Sequence, residues 1–286
     1  MSISFADTIR SAFSSAFRFP LAQDKRLASP FEILHCPGTN LLIHCIRLDE
    51  TILRSLDARF FQVKSAQAEA AGLRIVHLWE DIFTAQTEQV MARLQSLLGN
   101  NQTIHGRQCR VQRVDKTASA AFLSRFHLQF SAAARFHYGL FHREKLSAVA
   151  TFSGGRIFDK NSPGRRSHEL VRFASLPGIT ITGGFDKMIR AFADEIRPAD
   201  IMTYADRDWS DGRGYEKLGF LRENETDPQA FYVHPGERIR YYPHRLPEKI
   251  MQRFEASGSA DISAFLRAEG YFRIHNAGNI KFRRRF

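Results

Sequence analysis

The sequence is poor in cysteine and has no long apolar run, and each shortage excludes a class of protein. Its cysteines are Cys36, Cys45 and Cys109, which stand far apart. They predict neither a disulfide framework nor a cysteine-based zinc site, and a reducing compartment fits such usage best. No stretch approaches the roughly 18 apolar residues that a membrane-spanning helix needs. The sequence therefore favours a cytoplasmic protein that does not cross a membrane.

Acidic residues are the other shortage. Lysine and arginine number 41 against 30 aspartate and glutamate in 286 residues, so the formal net charge is +11. This surplus predicts a polyanionic partner, nucleic acid before a membrane, while an ordinary basic protein remains the alternative. Several arginines stand beside aromatic residues, as in Arg238–Tyr242 and Phe282–Phe286. Such mixing suits phosphate contacts and base stacking.

A pair of glycines marks the stretch around which the chain is organised. Gly183 and Gly184 follow the strand-like residues ITIT and precede a helical pattern, FDKMIRAFADEI. They predict a sharp turn that leaves the first amides of the helix uncovered, and Lys187 adds a cation nearby. Uncovered amides at a helix start are a natural seat for phosphate oxygens, although a plain strand-to-helix connection remains the alternative.

A strand and a short helical turn follow this helix. The apolar spacing of the helix stops before Pro198, and Ile201–Tyr204 predicts a strand. The segment YEKLGF, Tyr215–Phe220, then predicts a helical turn that ends at Gly219 in a left-handed C-cap.

At these residues the chain resembles the GNAT superfamily of acyl-CoA-dependent N-acyltransferases, in which a segment like YEKLGF closes the site. The phosphate turn departs from the family pattern, because two adjacent glycines stand where a Gln or Arg precedes G-x-G/A. The resemblance covers about residues 107–235. It implies an α/β (α+β) fold, with a mixed central sheet flanked by helices and a V-shaped gap between two central strands. It also implies acetyl-CoA or another acyl-CoA as cofactor and an amine as acceptor.

The resemblance implies catalytic roles for two residues. Tyr215 would protonate the departing thiolate, and Glu169 would accept the amine proton. Each has a structural alternative: Tyr215 as a core aromatic beside Leu218 and Phe220, and Glu169 as a partner of Arg172 or His168.

A second resemblance lies nearer the N-terminus. FFQVKSAQAEAAGL and RIVHLWEDIF resemble the C-terminal half of a Vsr-like nuclease of the PD-(D/E)XK class, as found in phage homing-endonuclease-like proteins. Spaced blocks such as ELVRF, ITGGFDKM and GYFRIHNAGNIKF resemble the same phage proteins. His44 stands where the family places a strand acid, and Asp49, Glu50 and Asp57 do not converge on one site. The resemblance therefore implies a degenerate nuclease unit.

These patterns divide the chain into four parts. They are an N-terminal helix and connection (1–40), a degenerate nuclease-like α/β unit (41–100), a GNAT-like domain (107–235) and a basic C-terminal extension (236–286). Two functions from different classes follow. One is an acyltransferase that acts on or near nucleic acid. The other is a phage or mobile-element DNA-binding protein whose GNAT fold is a non-catalytic scaffold.

A polar loop supplies candidates for contact with nucleic acid or substrate. Asp206, Arg207 and Trp209 crowd the end of a strand, where α/β folds tend to place ligands. Trp209 suits base stacking and Arg207 suits a phosphate, while a tryptophan that anchors the loop is the alternative. Arg172, on the strand of Glu169, completes this set. The histidines form no close ligand pair, so no metal site is predicted.

Overall fold

A computed structural model of the chain describes residues 4–17, 20–157 and 166–286. The chain divides into two compact units, each built from separate stretches of sequence. Unit 1 comprises Met1–Ala85, Asp206–Asp211 and Glu225–Asn279, and unit 2 comprises Gln86–Ala205, Gly212–Asn224 and Ile280–Phe286. The boundaries of the two compact units differ from those of the four parts predicted from the sequence. The four parts rest on sequence resemblance, and they remain a prediction.

The helices, in chain order, are α1 Phe5–Phe17, α2 Glu50–Ser55, α3 Phe60–Ala70, α4 Glu80–Ala85, α5 Thr87–Leu97, α6 Lys116–Phe126, α7 Gly184–Ile196, α8 Arg213–Glu216, α9 Glu248–Ala256 and α10 Ile262–Ala268. Within the described ranges, none of them combines the length and the apolar character needed to span a membrane.

The strands are β1 Ala22–Asp24, β2 Ile33–His35, β3 Leu41–Ile46, β4 Arg74–Trp79, β5 Gln102–His105, β6 Cys109–Arg113, β7 Phe136–His142, β8 Lys145–Phe152, β9 Ser167–Ser175, β10 Ile179–Thr182, β11 Asp200–Asp206, β12 Leu221–Glu225, β13 Ala230–Val233, β14 Arg240–Tyr241, β15 Phe272–His275 and β16 Asn279–Arg285.

Unit 2 is organised around a seven-stranded mixed sheet with the order β12-β16-β11-β9-β8-β7-β6. Antiparallel pairs join β6 through β9, and β9 then pairs in parallel with β11. The succession β6, α6, β7, β8, β9, α7, β11, α8 is the one that the sequence predicted. The short β10 is an addition, and it pairs in parallel with β5 in a separate sheet. The predicted mixed sheet flanked by helices is therefore confirmed.

Helix α7 covers one face of this sheet, here named the α7 face. Its apolar residues recur at helical spacing, and Met188, Ile189 and Phe192 are fully buried. The Phe192 ring stacks on Phe152 of β8 with centroids 4.0 Å apart. Helix α6 covers the opposite face, the α6 face, where its buried residues pack with Val149 of β8. The sheet is thus buried between two helices.

One predicted strand pairs elsewhere. The segment QAFYVHP does form a strand, β13, but it pairs with β14 and β15 in a three-stranded sheet of unit 1. The seven-stranded sheet is completed instead by β12 and by β16, from the end of the chain. Alternating apolar residues predict that a strand forms but do not identify its partner.

Unit 1 contains this small sheet and a four-stranded sheet of order β1-β2-β3-β4. Every residue of β3, LLIHCI, is buried, as expected of a strand covered on both faces. Strands β3 and β4 are parallel and place His44 opposite His77. The predicted strand–helix–strand succession is present here.

Candidate active site

The central parallel pair of unit 2 separates partway along its length. Strands β9 and β11 pair from Ser167 with Asp200 as far as Glu169 with Met202. Both strands continue beyond this point, to Ser175 and Asp206, without further ladder pairs between them in the described residues. At the point of separation the Thr203 hydroxyl donates to the carbonyl of Leu170 at 3.1 Å. The sheet therefore opens in the V expected from the resemblance.

Tyr215 lies on the α7 face at this opening. Helix α8 brings its ring against Phe282 and Phe220, with centroids 5.5 and 5.7 Å away, and both partners belong to the core beneath α7. Burial raises the pKa of the phenol, and a hydrogen bond with the Thr203 side chain opposes that rise. The phenol is thus protonated at neutral pH and placed where β9 and β11 part.

Glu169 lies on the other face at the same level. His168 packs on Phe192, with centroids 5.2 Å apart, so its side chain is on the α7 face. Because side chains alternate along a strand, its neighbour Glu169 points to the α6 face. Burial raises the pKa of the half-buried Glu169 carboxyl, against the opposing charges of Arg172 and Arg156. A carboxylate with a raised pKa is better matched to proton transfer near neutrality.

His168 and Arg172 are the predicted structural partners of Glu169, but the hydrogen bonds identified for their side chains go to backbone carbonyls. The Nδ1 atom of His168 bonds to the carbonyl of Ser153 at 2.9 Å. The Arg172 guanidinium donates to the carbonyls of Phe130 at 3.3 Å and Val171 at 2.8 Å. The charge of Arg172 lowers the pKa of Glu169. Its hydrogen bond to the Phe130 carbonyl connects the loop after α6 to β9.

Sequence reasoning did not find Arg93, a residue of α5. Burial, together with the charges of Arg172 and Arg93, lowers the pKa of His127 to about 3. The same two arginines lower the pKa of Tyr215, against the effect of burial. Both arginines therefore lie close enough to Tyr215 for their charges to act on its phenol. No local pattern marks Arg93, because more than a hundred residues separate it from the YEKLGF segment.

The predicted phosphate seat is only partly exposed. Gly183 has φ +73° and faces open space, since an added Cβ there would meet nothing within 4 Å. Gly184 is a packing glycine, because a Cβ there would come within 2.7 Å of both Ile181 and Leu140. The turn at Gly106 packs on the same peptides, where an added Cβ would lie 2.8 Å from the Thr182 carbonyl oxygen.

Lys187 is directed away from the predicted phosphate. Its ammonium donates to the backbone carbonyls of Gly106 and Cys109 at 3.2 and 2.5 Å. It thereby satisfies the end of the short helical turn that precedes β6. Room for an anion at the start of α7 therefore lies beside Gly183 rather than around Lys187.

Three of the predicted contacts of nucleic acid or substrate, Asp206, Arg207 and Trp209, lie in unit 1. Arg207 is buried and forms ion pairs with Glu225 and, at 3.9 Å, with Glu69. Asp206 accepts the backbone amide of Asp208 at 3.0 Å, and its carbonyl accepts the amide of Trp209. Trp209 is half-buried. These residues order their own loop, and Arg172 belongs to the other unit.

Two acids of the nuclease-like region, Asp49 and Asp57, accept nearby backbone amides. Asp49 caps α2 by accepting the amide of Ile52 at 3.0 Å, and Asp57 accepts the amide of Arg59 at 2.7 Å just before α3. In the part of the chain that the structure describes, no group of three or more histidines, cysteines and acids is arranged to hold a metal ion.

Known proteins resemble this chain only in structure. No family model and no curated protein matches it. A GNAT family acetyltransferase from Elizabethkingia anophelis, solved with acetyl-CoA, is 11% identical, with 63% of this chain and 99% of that chain covered at a TM-score of 0.35. A Bacillus subtilis acetyltransferase in complex with CoA is 12% identical, with 62% and 99% covered at 0.35.

The ribosomal-protein-S18-alanine N-acetyltransferase from Escherichia coli is 12% identical, with 61% and 92% covered at a TM-score of 0.34. Because these identities and TM-scores are low, the assignment of the fold rests on the strand order and on the parting of β9 and β11.

Proposed function

We propose that the protein is an acyl-CoA-dependent N-acyltransferase whose acceptor is an amine of nucleic acid or of a molecule associated with it. The main support is the opening between β9 and β11, which has the Tyr215 phenol on one face and the Glu169 carboxylate on the other. An acid and a base on opposite sides of a gap in a sheet suit a reaction in which one molecule enters from each side.

The chemistry divides between these two groups. Glu169 accepts the proton that the acceptor amine loses as it attacks the thioester carbon. Backbone amides along the parted ends of β9 and β11 line the opening, where a hydrogen bond from one of them stabilises the developing oxyanion. Tyr215 donates its proton to the thiolate that leaves. Each such proton transfer contributes roughly 10²- to 10⁴-fold to the rate.

The start of α7 is the proposed seat of the pyrophosphate of CoA. Gly183 leaves open space there, and the positive end of the helix dipole favours an anion. Gly184 and Lys187 contribute by shaping this turn rather than by contact. The association with nucleic acid is supported by the net charge of +11, which favours a polyanionic partner.

Calorimetric titration with acetyl-CoA tests the proposal, and Gly183 provides a matched pair of variants. Both Asp and Asn tolerate a positive φ and both fit the open space, but only Asp adds a negative charge at the phosphate seat. We expect G183N to bind nearly as tightly as the wild type and G183D to bind about tenfold more weakly, or ~1.4 kcal/mol. Absence of acetyl-CoA binding by the wild type would refute the transferase.

The second candidate is a DNA-binding protein in which the GNAT fold is a recognition scaffold. It is favoured by the packing roles of Gly184 and Lys187, and by the local hydrogen bonds of Asp49, which caps α2, and of Asp57, which accepts an amide in the turn before α3. A protein that shifts DNA in a gel, and that gives no heat with acetyl-CoA in the titration above, would support this candidate.

A further inference from the structure

An exposed arginine shares the sheet face of Glu169. Arg156 forms an isolated antiparallel bridge with Ser167, and each residue donates its backbone amide to the carbonyl of the other, at 2.8 and 3.0 Å. Residues opposite each other in such a bridge project to the same face, and Ser167 shares the α6 face with Glu169, two residues further along β9. The Arg156 side chain is exposed on that face, roughly 7 Å along the strand direction from Glu169.

A β-bulge places a second arginine on this face. The register between β8 and β9 shifts so that Val171 is an extra residue in β9. Leu170 before it lies in the core beneath α7, and Phe173 after it stacks on a ring of α7. Strict alternation would send Arg172 to the face of Leu170, so it is the bulge that places Arg172 on the α6 face. There its guanidinium donates to the carbonyl of Phe130 at 3.3 Å.

An exposed tyrosine borders the same opening. Met202 pairs with Glu169 at the last ladder position of β9 and β11, and Tyr204 follows two residues later, where the strands have parted. Its neighbour Ala205 lies in the core beneath α7, so Tyr204 projects to the α6 face. The Tyr204 side chain is 41% exposed although it stands on a central strand of the sheet. Its ring is therefore accessible beside the Glu169 carboxylate.

The two arginines restrict the amine that Glu169 can serve. Burial raises the pKa of Glu169, and the charges of Arg172 and Arg156 oppose that rise, as expected of cations near a carboxylate. An alkylamine is an ammonium ion at neutral pH, and both guanidinium groups repel it. An amine attached to an aromatic base is uncharged at this pH, so these groups do not exclude it.

The same side chains suit the rest of a nucleotide. A guanidinium group binds phosphate oxygens through paired N–H donors, and an exposed tyrosine ring stacks on a planar base. We propose that the acceptor is the exocyclic amine of a nucleobase in a nucleotide, with the base on the Tyr204 ring and the phosphate at Arg156. This inference rests on the proposed acyl transfer and narrows its acceptor.

The reaction balances with acyl-CoA as the only co-reactant. The amine nitrogen forms a bond to the acyl carbon and loses a proton to Glu169. The C–S bond breaks, and CoA leaves as a thiol with the proton of Tyr215. Glu169 then releases its proton to water and Tyr215 regains one from water, which leaves an N-acyl base and restores both groups. A free nucleotide and a nucleotide within a single strand both carry this chemistry.

The test is thiol release from acetyl-CoA with matched acceptors, together with mass spectrometry of the product. AMP, CMP and GMP carry a base amine and a phosphate, their nucleosides lack the phosphate, and UMP lacks the exocyclic amine. We expect at least one of the three nucleotides, free or within a short single strand, to be acetylated, and UMP to remain unmodified. The nucleoside should need at least a tenfold higher concentration. The strand alone as acceptor would identify nucleic acid as the source.

Variants of two side chains separate the contacts. R156Q should raise the KM for the nucleotide about tenfold and leave that for its nucleoside unchanged, because only the nucleotide has a phosphate. R143Q is the control, since Arg143 is exposed in the turn between β7 and β8, at the other end of this hairpin from the bridge of Arg156. Y204A should raise both KM values at least fivefold through lost stacking, whereas Y204F keeps the ring and the wild-type values.

Failure of this inference is distinguishable from failure of the transferase. Protein that binds acetyl-CoA and acetylates a simple alkylamine, but no nucleotide or single strand, excludes this acceptor and leaves acyl transfer intact. Equal effects of R156Q on nucleotide and nucleoside, or equal KM values for Y204A and Y204F, would also overturn the assignment. Absence of acetyl-CoA binding would refute the transferase and this acceptor together.

Discussion

At the scale of single residues, the proposed reaction depends most on one hydroxyl. Replacing Tyr215 by Phe removes the phenolic oxygen and keeps the ring that packs against Phe282 and Phe220. We therefore expect Y215F to fold normally and to bind acetyl-CoA like the wild type. Its kcat should fall by roughly 10²-fold, because the departing thiolate loses its proton donor. Thiol release with a panel of primary amines measures this.

Tyr138 is the matched control. It is another buried tyrosine of unit 2, and its hydroxyl donates to Glu195, near the end of α7, at 2.7 Å. Y138F loses a hydroxyl of the same kind without touching the opening, so its kcat should stay within about twofold of the wild type. A Y215F enzyme as fast as Y138F would exclude Tyr215 as the general acid.

A local sequence pattern predicts the helical turn that carries Tyr215, and its role in the site stays a prediction. The YEKLGF segment put Tyr215 at the start of a helical turn, and the structure sets its phenol beside the opening. The direction of the Lys187 side chain could not be predicted in this way. Its ammonium bonds to carbonyls about eighty residues earlier in the chain, and a local pattern carries no information about such distant partners. Arg207 has a similar explanation, since its carboxylate partners come from distant segments.

At the scale of elements, the helix that carries Tyr215 depends on one glycine. Gly212 caps α8 with φ +80°, and an added Cβ would lie 2.2 Å from Cζ of Phe282. G212A therefore combines backbone strain with overpacking of a buried ring, and we expect it to destabilise unit 2 by roughly 2–4 kcal/mol. Calorimetric unfolding measures the loss.

Gly214, two residues further along, supplies the control for this prediction. It lies inside α8, and an added Cβ meets nothing within 4 Å. Because alanine favours a helix over glycine by up to about 1 kcal/mol, G214A should be neutral or slightly stabilising. Equal losses for the two variants would mean that any side chain disturbs α8 and that contact with Phe282 is not the cause.

Elements were predictable where periodicity and end signals agree. The spacing of α7 and the stop before Pro198 gave that helix, and the alternation of QAFYVHP gave a strand. The partner of the strand was not predictable. β13 joins β14 and β15, whereas β16, about fifty residues later in the chain, fills the sheet of unit 2. Pairing is decided by which faces need burial in the folded unit, and that is a property of distant segments.

At the scale of the whole molecule, the chain passes back and forth between the two units, so neither unit is continuous in sequence. Unit 1 holds a set of buried titratable groups with opposing effects on its stability. Burial lowers the pKa of His77 to about 3 and that of His44 well below its ordinary value. Burial, with the nearby charge of Asp206, raises the pKa of Asp208, which accepts hydrogen bonds from Trp79 and Ala277.

The signs follow from proton uptake. Below about pH 6.5 unfolded His44 and His77 bind protons that the folded unit excludes, so stability falls as the pH falls toward 3. Asp208 acts in the opposite sense, because the folded unit keeps its carboxyl protonated at pH values where the unfolded chain has released it. The half-buried His275 adds a smaller loss in the same direction as the other histidines.

Between about pH 6 and 4.5, proton uptake by the two unfolded histidines exceeds the proton that Asp208 releases, so unfolding takes up roughly one proton in net. The unfolding free energy of unit 1 should therefore fall by roughly 1.4 kcal/mol for each pH unit, and by roughly twice that in D208N, which removes the opposing group. Both tryptophans, Trp79 and Trp209, belong to unit 1, so urea titrations followed by tryptophan fluorescence report on this unit. A slope that is the same in D208N and wild type would show that Asp208 titrates alike in the folded and unfolded chain. A stability independent of pH in this window would contradict the exclusion of protons from the buried histidine pair.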